Sequence, residues 1–376
     1  MLFRKPQVRI AVWIAAGVLI LAVGYRLLGG AVLDRLQHQA AMQSAQSAFG
    51  SHKLNVLILG YQDDEGTSDT VILAHLDVDR RTGTLVSIPR DSWVAIPGHG
   101  HWKINAAMGY GGPQLAAKVI GVLTGAPIDA TIAIQPEGAA QIVDAMGGLN
   151  VDVDETMNYD DNYGRLHIHL KKGEQYLTGS QVVGYMRFRH DAASDWGRMH
   201  RQQQVLTAMM NQLSQPQNWA KLPRLLQFAR KDLKTTLSGG QLAALLEIYR
   251  GVPQDNIRTF TLPAKAGWVG DASVVFVDQR WAKLIGRFVF TKNEPPQDQV
   301  LVANATGNTE LDKTLIGAMR GGGWNVQTFV DESAKPASLV LGSSPAARAL
   351  AQAFAVKQTP SARTTLVLGE DLAPGV

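Results

Sequence analysis

Three groups of residues have the types and spacing to handle phosphate. The first is the run 60–70, Gly-Tyr-Gln-Asp-Asp-Glu-Gly-Thr-Ser-Asp-Thr. Asp63, Asp64, Glu65 and Asp69 within it are hard oxygen ligands, and magnesium takes one or two such carboxylates together with phosphate oxygens. A solvated acidic turn accounts for the same residues equally well. The second group is Ser87-Ile-Pro-Arg-Asp91, followed by Lys103-Ile-Asn105. Arg90 would clamp a phosphate through its planar fork, or stand as an ordinary surface residue. The third is the densest: Arg187-Phe-Arg189-His-Asp191, then Asp195-Trp-Gly-Arg198, then Arg201-Gln202. If residues 187–189 are extended, Arg187 and Arg189 project to one side. In a helix starting near Gly197, Arg198, Arg201 and Gln202 share a face. These arginines repel one another unless an anion sits among them, or unless Asp191 and Asp195 bind them into a structural ion-pair network.

Other signatures are weaker. His167 and His169 alternate in Leu166-His-Ile-His-Leu170, so a strand would put both on one face. A polar strand face accounts for them more simply than a metal site, and His99 and His101 in a Gly-rich loop read the same way. The sequence holds no P-loop, zinc-protease helix motif or nucleophile elbow.

The elements around these residues place them at strand ends. Leu54 to Leu59 is a nearly unbroken apolar run closed by Gly60, as expected of a strand covered on both faces. Ligands in α/β folds gather just beyond such strands. Thr70 to Val78 and Thr84 to Ile88 read as a hairpin turning over 80–83. Pro113 to Leu123 and Pro136 to Met146 read as helices, the second stopped by Gly147 and Gly148, with short strands at Thr131 to Ile134 and Leu149 to Val153. Ser180 to Met186 and Met199 to Leu213 are further helices, and residues 219–290 continue on the same core. The fold class this implies is α/β, a mixed central sheet flanked by helices over residues 53–290. Residues 291–299, with Pro295 and Pro296, read as a linker. Residues 300–376 read as a second, small α/β domain. Its strands are Val300 to Ala303, Trp324 to Val330, Ser338 to Leu341 and Thr364 to Leu368, with helices Leu311 to Arg320 and Pro345 to Phe354.

Composition narrows the class. The 376 residues suit two domains, and 45% hydrophobic with 18% charged residues is the balance of a folded chain. A net charge of +4 is too small to announce nucleic-acid binding, and the absence of cysteine excludes disulfides and cysteine-ligated zinc. At the amino terminus Arg4, Lys5 and Arg9 precede an uncharged run from Ile10 to Tyr25, and apolar residues resume after Arg26 as far as Leu33. A membrane span needs roughly 20 apolar residues, so residues 1–33 read as a cytoplasmic tip and one transmembrane helix. Positive residues stay inside, which puts residue 34 onward outside the cytoplasm in a single-pass membrane protein. No small-x-small cleavage site follows, which favours an anchor over a cleaved signal. Residues 34–52, rich in Gln and Ala, read as a helical stalk.

Taken in order, the motifs of the stretch from Leu54 to Gln203 resemble the LytR-CpsA-Psr family of cell-wall glycopolymer ligases. They are Ser-Asp-Thr at 68–70, Ser-Ile-Pro-Arg-Asp at 87–91, Lys-Ile-Asn-Ala-Ala at 103–107, Gly-Gly-Pro at 111–113 and Asp-Ala-Met-Gly-Gly at 144–148, then Arg-Phe-Arg-His-Asp at 187–191 and Gly-Arg-Met-His-Arg-Gln-Gln at 197–203. Residues 300–371 resemble, more loosely, the carboxy-terminal domain often attached to that family.

The resemblance implies transfer of a glycopolymer from a polyprenyl-pyrophosphate carrier to peptidoglycan, with no nucleic acid involved. Asp69 would hold magnesium (or manganese), with Asp63 as a second ligand. Arg90, Lys103, Arg187, Arg189, Arg198, Arg201 and Gln202 would hold the phosphates, Arg90 and Arg198 catalytically, and Asp91 would be the base. The prenyl chain would lie in an apolar pocket between sheet and helices. Two positions depart from the family pattern: Gln62 stands where an aspartate is usual, and Thr67 where an arginine is. A hydrolase acting on the same lipids and a non-catalytic envelope protein binding them remain as alternative readings. A transcriptional regulator does not fit, for want of a helix-turn-helix signal.

Overall fold

The computed structural model of the chain describes residues 34–372 except 63–65, 163–165, 189–193, 216–217, 219–220, 222–231, 307–308 and 331–334. The span expected within residues 1–33 lies outside the described residues, as do Asp63, Asp64, Glu65, Arg189 and Asp191. Among the described residues no helix is long and apolar enough to cross a membrane.

After helix α1 (34–49) come strands β1 (Lys53–Gln62), β2 (Thr67–Asp77) and β3 (Thr82–Ser87), then a hairpin of β4 (Trp93–Ile96) and β5 (Gly100–Lys103). Next are α2 (Ala106–Thr124), β6 (Ala130–Ile134), α3 (Pro136–Met146), β7 (Leu149–Val153), β8 (Met157–Asp161), β9 (Leu166–Leu170) and β10 (Gly173–Leu177). Then follow α4 (Gly179–Arg187), α5 (Ser194–Ser214), β11 (Leu233–Thr235), α6 (Gly239–Arg250), β12 (Ile257–Thr261), the hairpin β13 (Ala264–Val269) and β14 (Ala272–Val277), and α7 (Gln279–Val289).

The central sheet is mixed, in the order β11-β6-β1-β2-β3-β12, with β1, β2 and β3 antiparallel, β6 parallel to β1, β12 parallel to β3, and β11 antiparallel to β6. Both faces are covered, which is why β1 is apolar at successive positions. Leu57 and Leu59 pack toward α2 and α7, whereas Val56 packs with residues of α1 and α6. Gly286 of α7 sits so close to α2 that a Cβ there would lie 1.8 Å from the Thr124 carbonyl oxygen.

Local chemistry moves several expected boundaries. Helix α2 begins at Ala106, ahead of Pro113, because it is two segments. Gly111 (φ −155°) and Gly112 (φ 66°, ψ −163°) interrupt it, and Pro113 opens the second segment, where its missing N–H costs nothing. Arg187 ends α4 rather than starting a strand with Arg189, and Phe188 is the residue that turns extended (φ −60°, ψ 135°). The residues read as a stalk are helical over 34–49 but lie on the domain. Ala41 and Ala45 are fully buried beside Leu54, Tyr249 and Val252, and Arg81 pairs with Asp34. Small alanines allow that close approach.

The carboxy-terminal unit comprises β15 (Val300–Asn304), α8 (Thr309–Gly321), β16 (Val326–Val330), β17 (Leu339–Leu341), α9 (Pro345–Phe354), β18 (Gln358–Thr359) and β19 (Thr364–Leu368). Its strands form a sheet in the order β16-β15-β19-β17-β18. Its core is continuous with that of the larger unit. Phe288 of α7 meets Trp324 edge-on at 5.4 Å and lies 5.7 Å from Phe354. The segment between the units is tied down as well. Lys53 donates to the Asn293 carbonyl, Lys292 pairs with Asp129, and Glu294 pairs with Lys53 and Arg80.

Candidate active site

A defect in strand pairing sets Asp69. Gly60 pairs with Thr70 and Tyr61 with Ser68, so Asp69 is the extra residue of a β-bulge. A bulge re-aims a side chain off the regular alternation, here over the end of the sheet. Gly60 permits it, since a Cβ would come 3.0 Å from the Thr70 Cβ.

Arg90 arrives from the neighbouring strand. Ile88 N–H still donates to Val71 O at 2.9 Å, and Pro89 then offers no donor to continue the ladder. Asn105 takes over: its N–H donates to Arg90 O at 3.1 Å and its carbonyl accepts from Ser68 N–H at 3.3 Å. The Lys-Ile-Asn motif therefore fastens the Arg90 segment to the Asp69 segment.

The side chains then meet. Arg90 Nη1 donates to Asp69 Oδ1, and Gln62 Nε2 donates to Asp69 Oδ2 at 2.8 Å. Arg90 Nε is buried without a hydrogen-bond acceptor, and Asp91 Oδ2 lies 3.8 Å from it. Lys103 Nζ lies 3.0 Å from Asp91 Oδ1. A buried donor without an acceptor is uncommon, and a bound anion is one way to satisfy it.

Gln62, Asp69, Arg90, Arg187, Arg198 and Gln202 line one cavity of about 440 Å³, together with Tyr159, Leu166, Met186 and Phe188. Three sequence-distant groups thus converge, with Asp91 and Lys103 beside them. Arg198 and Gln202 are 3% and 6% exposed, so the protein shields both from bulk water.

Arg201 does not line this cavity. It donates to Phe188 O at 2.6 Å, lies 3.6 Å from Asp154 Oδ2, and sits over the rings of Phe188 and Tyr185. At about 100° per residue, Arg201 falls about 60° to one side of Arg198 and Gln202 about 40° to the other. Arg201 therefore braces the segment that carries Arg187. Gln203, which sequence reasoning left without a role, donates to Ser87 Oγ at 2.7 Å and Phe260 O at 3.1 Å, locking α5 to β3 and β12. Its place beside Gln202 in the Arg-Gln-Gln motif was the available signal. Tyr159, Leu166, Met186 and Phe188 carried none, being apolar or aromatic residues of ordinary elements.

A second cavity of about 280 Å³ lies between the sheet and helices α3, α5 and α6, lined by Ile58, Ile72, Ala139, Leu206, Met210 and Leu245 among others. It shares Gln62, Asp69, Met186, Arg187 and Gln202 with the polar cavity. An apolar channel therefore opens directly onto the arginines.

As a cation site, the described residues offer one carboxylate, Asp69, and an amide oxygen from Gln62 if its side chain turns over. That set suits a magnesium ion held jointly with diphosphate oxygens, and is too sparse for an all-protein cage. His167 and His169 are exposed on β9 and bond Asp160 of β8 at 2.7 and 3.2 Å, which holds the Asp160 carboxyl below its usual range. They form a polar strand face.

Comparison with known proteins adds the following. The profile of the LytR_cpsA_psr family matches residues 31–285, and that of the LytR cell envelope-related transcriptional attenuator matches residues 297–372. The chain is 29% identical over 237 residues to the polyisoprenyl-teichoic acid–peptidoglycan teichoic acid transferase TagV of Bacillus subtilis (strain 168), 60% of each chain. It is 29% identical over 226 residues to the regulatory protein MsrR of Staphylococcus aureus (strain COL), 57% of this chain and 65% of that one. A solved structure, TagT bound to LIIa-WTA, matches with a TM-score of 0.54 at 25% identity, covering 63% of this chain and 89% of that one. The match spans less than two thirds of the length of these curated relatives.

Proposed function

The chain belongs to the LytR_cpsA_psr family, and from that premise we propose that it moves a glycopolymer from a polyprenyl-pyrophosphate carrier to a hydroxyl of peptidoglycan. One observation carries the reading: an apolar channel suited to a prenyl chain opens onto a cavity walled by Arg90, Arg187 and Arg198, suited to a diphosphate. The names of TagV and of the TagT complex support the same chemistry.

In this mechanism the acceptor hydroxyl attacks the sugar-proximal phosphorus. A new P–O bond forms, the bond to the bridging oxygen breaks, and polyprenyl phosphate leaves with the electron pair. The hydroxyl proton passes to Asp91, whose carboxylate Lys103 holds in place. Arg90, Arg198 and Gln202 bind the non-bridging oxygens, and on binding Arg90 exchanges Asp69 for phosphate. Positioning and charge neutralisation of this kind dominate phosphoryl transfer. Magnesium or manganese, bound by Asp69 and diphosphate oxygens, would supply further neutralisation of the leaving phosphate. The reaction requires the chain to sit outside the cytoplasm, anchored through residues 1–33, where carrier lipid and wall meet.

The test is reconstitution of the full chain in detergent with a polyprenyl-pyrophosphate-linked oligosaccharide and a peptidoglycan fragment. Joined product that disappears in Arg90→Ala supports transfer. Donor cleavage without joining would show a hydrolase, and binding without either would show a lipid-binding envelope protein.

A further inference from the structure

Exposed rings gather on the β4–β5 hairpin and the first turns of α2, the segments that adjoin Lys103 and Asn105. Trp102 of β5 and Tyr110 of α2 are 48% and 42% exposed. His99 stacks flat on Tyr110, with centroids 4.1 Å apart and planes 5° from parallel, and Trp102 meets Tyr110 edge-on at 6.1 Å and 71°. Three aromatic side chains thus contact one another while remaining exposed to water. Such an arrangement buries too little to be core, and marks an interaction surface.

The rings stand on rigid elements tied to the site. Trp102 pairs with Val94 across the β4–β5 hairpin and immediately precedes Lys103, the partner of Asp91. Tyr110 follows Asn105 by five residues, about 7.5 Å along a helix, and Asn105 is the residue that fastens Arg90. Gly109, next to Tyr110, packs against Gly66 so closely that a Cβ would lie 2.2 Å from the Gly66 carbonyl oxygen.

The ligand class follows from the surface chemistry. Flat, uncharged rings edged by an imidazole, a phenol hydroxyl and an indole N–H suit the apolar faces and equatorial hydroxyls of pyranose sugars. The location then selects which sugar. Helix α2 packs on the face of the central sheet formed by Leu57, Leu59, Val71 and Leu73, whereas Ile58 and Ile72 line the apolar channel on the opposite face. In an in-line displacement the incoming hydroxyl approaches opposite the leaving group. With the prenyl phosphate departing into the channel, the acceptor enters from the α2 side. The donor's own glycan stays on the attacked phosphorus as a spectator and needs no such surface.

We propose that Trp102, Tyr110 and His99 form a platform that stacks the sugar backbone of the acceptor glycan strand and presents its hydroxyl to the site. The proposal rests on the transferase reading, and its test is separable from it. Binding of muramidase-released peptidoglycan glycan fragments to the full chain is measured without donor, for wild type, the double variant Trp102→Ala/Tyr110→Ala, and the ring-keeping Trp102→Phe and Tyr110→Phe. Binding of a polyprenyl-pyrophosphate-linked oligosaccharide is measured on the same preparations as the check that the site is intact. The expected result is a rise in fragment Kd of roughly tenfold or more for the double alanine variant, near-wild-type binding for the phenylalanine variants, and unchanged donor binding. Unchanged fragment binding in the double variant overturns the platform, as does a wild type that binds no fragment. Weakened binding of the donor or of lipid vesicles in place of the fragment also overturns it. A wild type that binds fragment through these rings yet never joins it to donor removes the transferase reading and leaves the platform standing.

Discussion

Gln62 donates its side-chain amide to one oxygen of Asp69 at 2.8 Å, while Arg90 holds the other. The carboxylate is therefore satisfied by a neutral donor and a cation, where a second carboxylate at position 62 would have repelled it. Among the described residues Asp69 is the one carboxylate lining the cavity, and in the proposed mechanism a divalent ion would be held jointly with the substrate's phosphates.

On the proposed magnesium role, Gln62→Asp should give tighter metal binding. Adding one charged oxygen ligand is expected to lower the magnesium concentration for half-maximal donor cleavage by roughly tenfold. A metal titration of both proteins checks this, and superimposable curves would mean that position 62 contributes no metal ligand.

Arg198 and Arg201 should separate function from architecture. Arg198→Met removes a buried cation that faces the cavity, so donor turnover should fall by at least about a hundredfold with a smaller loss of stability than Arg201→Met. Arg201→Met removes a donor from the Phe188 carbonyl and a cation from beside Asp154, and should cost about 2–4 kcal/mol of stability. Thermal and urea unfolding of the two variants decide the matter; equal destabilisation would mean that both arginines are structural.

Filling the channel should select against long lipids. Ala74 lies on β2 at the channel wall, and Ala74→Trp places an indole where the prenyl chain would run. Turnover of a long-chain donor should be lost while a short, two-isoprene donor is still cleaved. Equal loss of both donors would mean that the sheet itself was disturbed.

Acid should loosen the fold through His75. This side chain is buried in β2 with Nδ1 2.7 Å from Asn55 Oδ1, and because the Asn55 amide already donates to the carbonyls of Pro127 and Phe290, the histidine must donate its proton. Burial pushes its pKa down to about 4; Asp77 and Asp129 oppose the shift, and Lys53 and Lys292 reinforce it. The unfolded chain then binds a proton between an ordinary pKa of about 6.5 and about 4 that the folded chain refuses. The stabilisation is whole above that window and is lost as pH falls through it, on the order of 3 kcal/mol in all. Urea unfolding across this range should show the slope, and His75→Gln should flatten it.

Several features were legible in the residues alone. Apolar β1, the β2–β3 hairpin and the Pro-to-Gly limits of α3 announce themselves through local chemistry, and so does the mixed α/β class they build. The arginine clusters were visible because like charges rarely crowd without an anion. Helix α2 was half seen, since Pro113 suggests a beginning and the segment before it has only glycine-rich sequence to show. The stalk reading failed over 34–49 because Ala and Gln are compatible with a free helix and with one pressed against a core, and only the facing surface of Leu54, Tyr249 and Val252 chooses between them.

By itself the sequence determined which residues could bind phosphate, where strands and helices would put them, and to which family the motifs point, because these depend on side-chain type and spacing along the chain. Only the tertiary structure decided that Asp69 occupies a bulge, that Arg198 faces the cavity while Arg201 turns to Phe188, and that the apolar channel and the exposed rings lie on opposite faces of one sheet. Those facts depend on the pairing register and on the few tens of degrees between neighbours on a helix, which arise when distant segments pack.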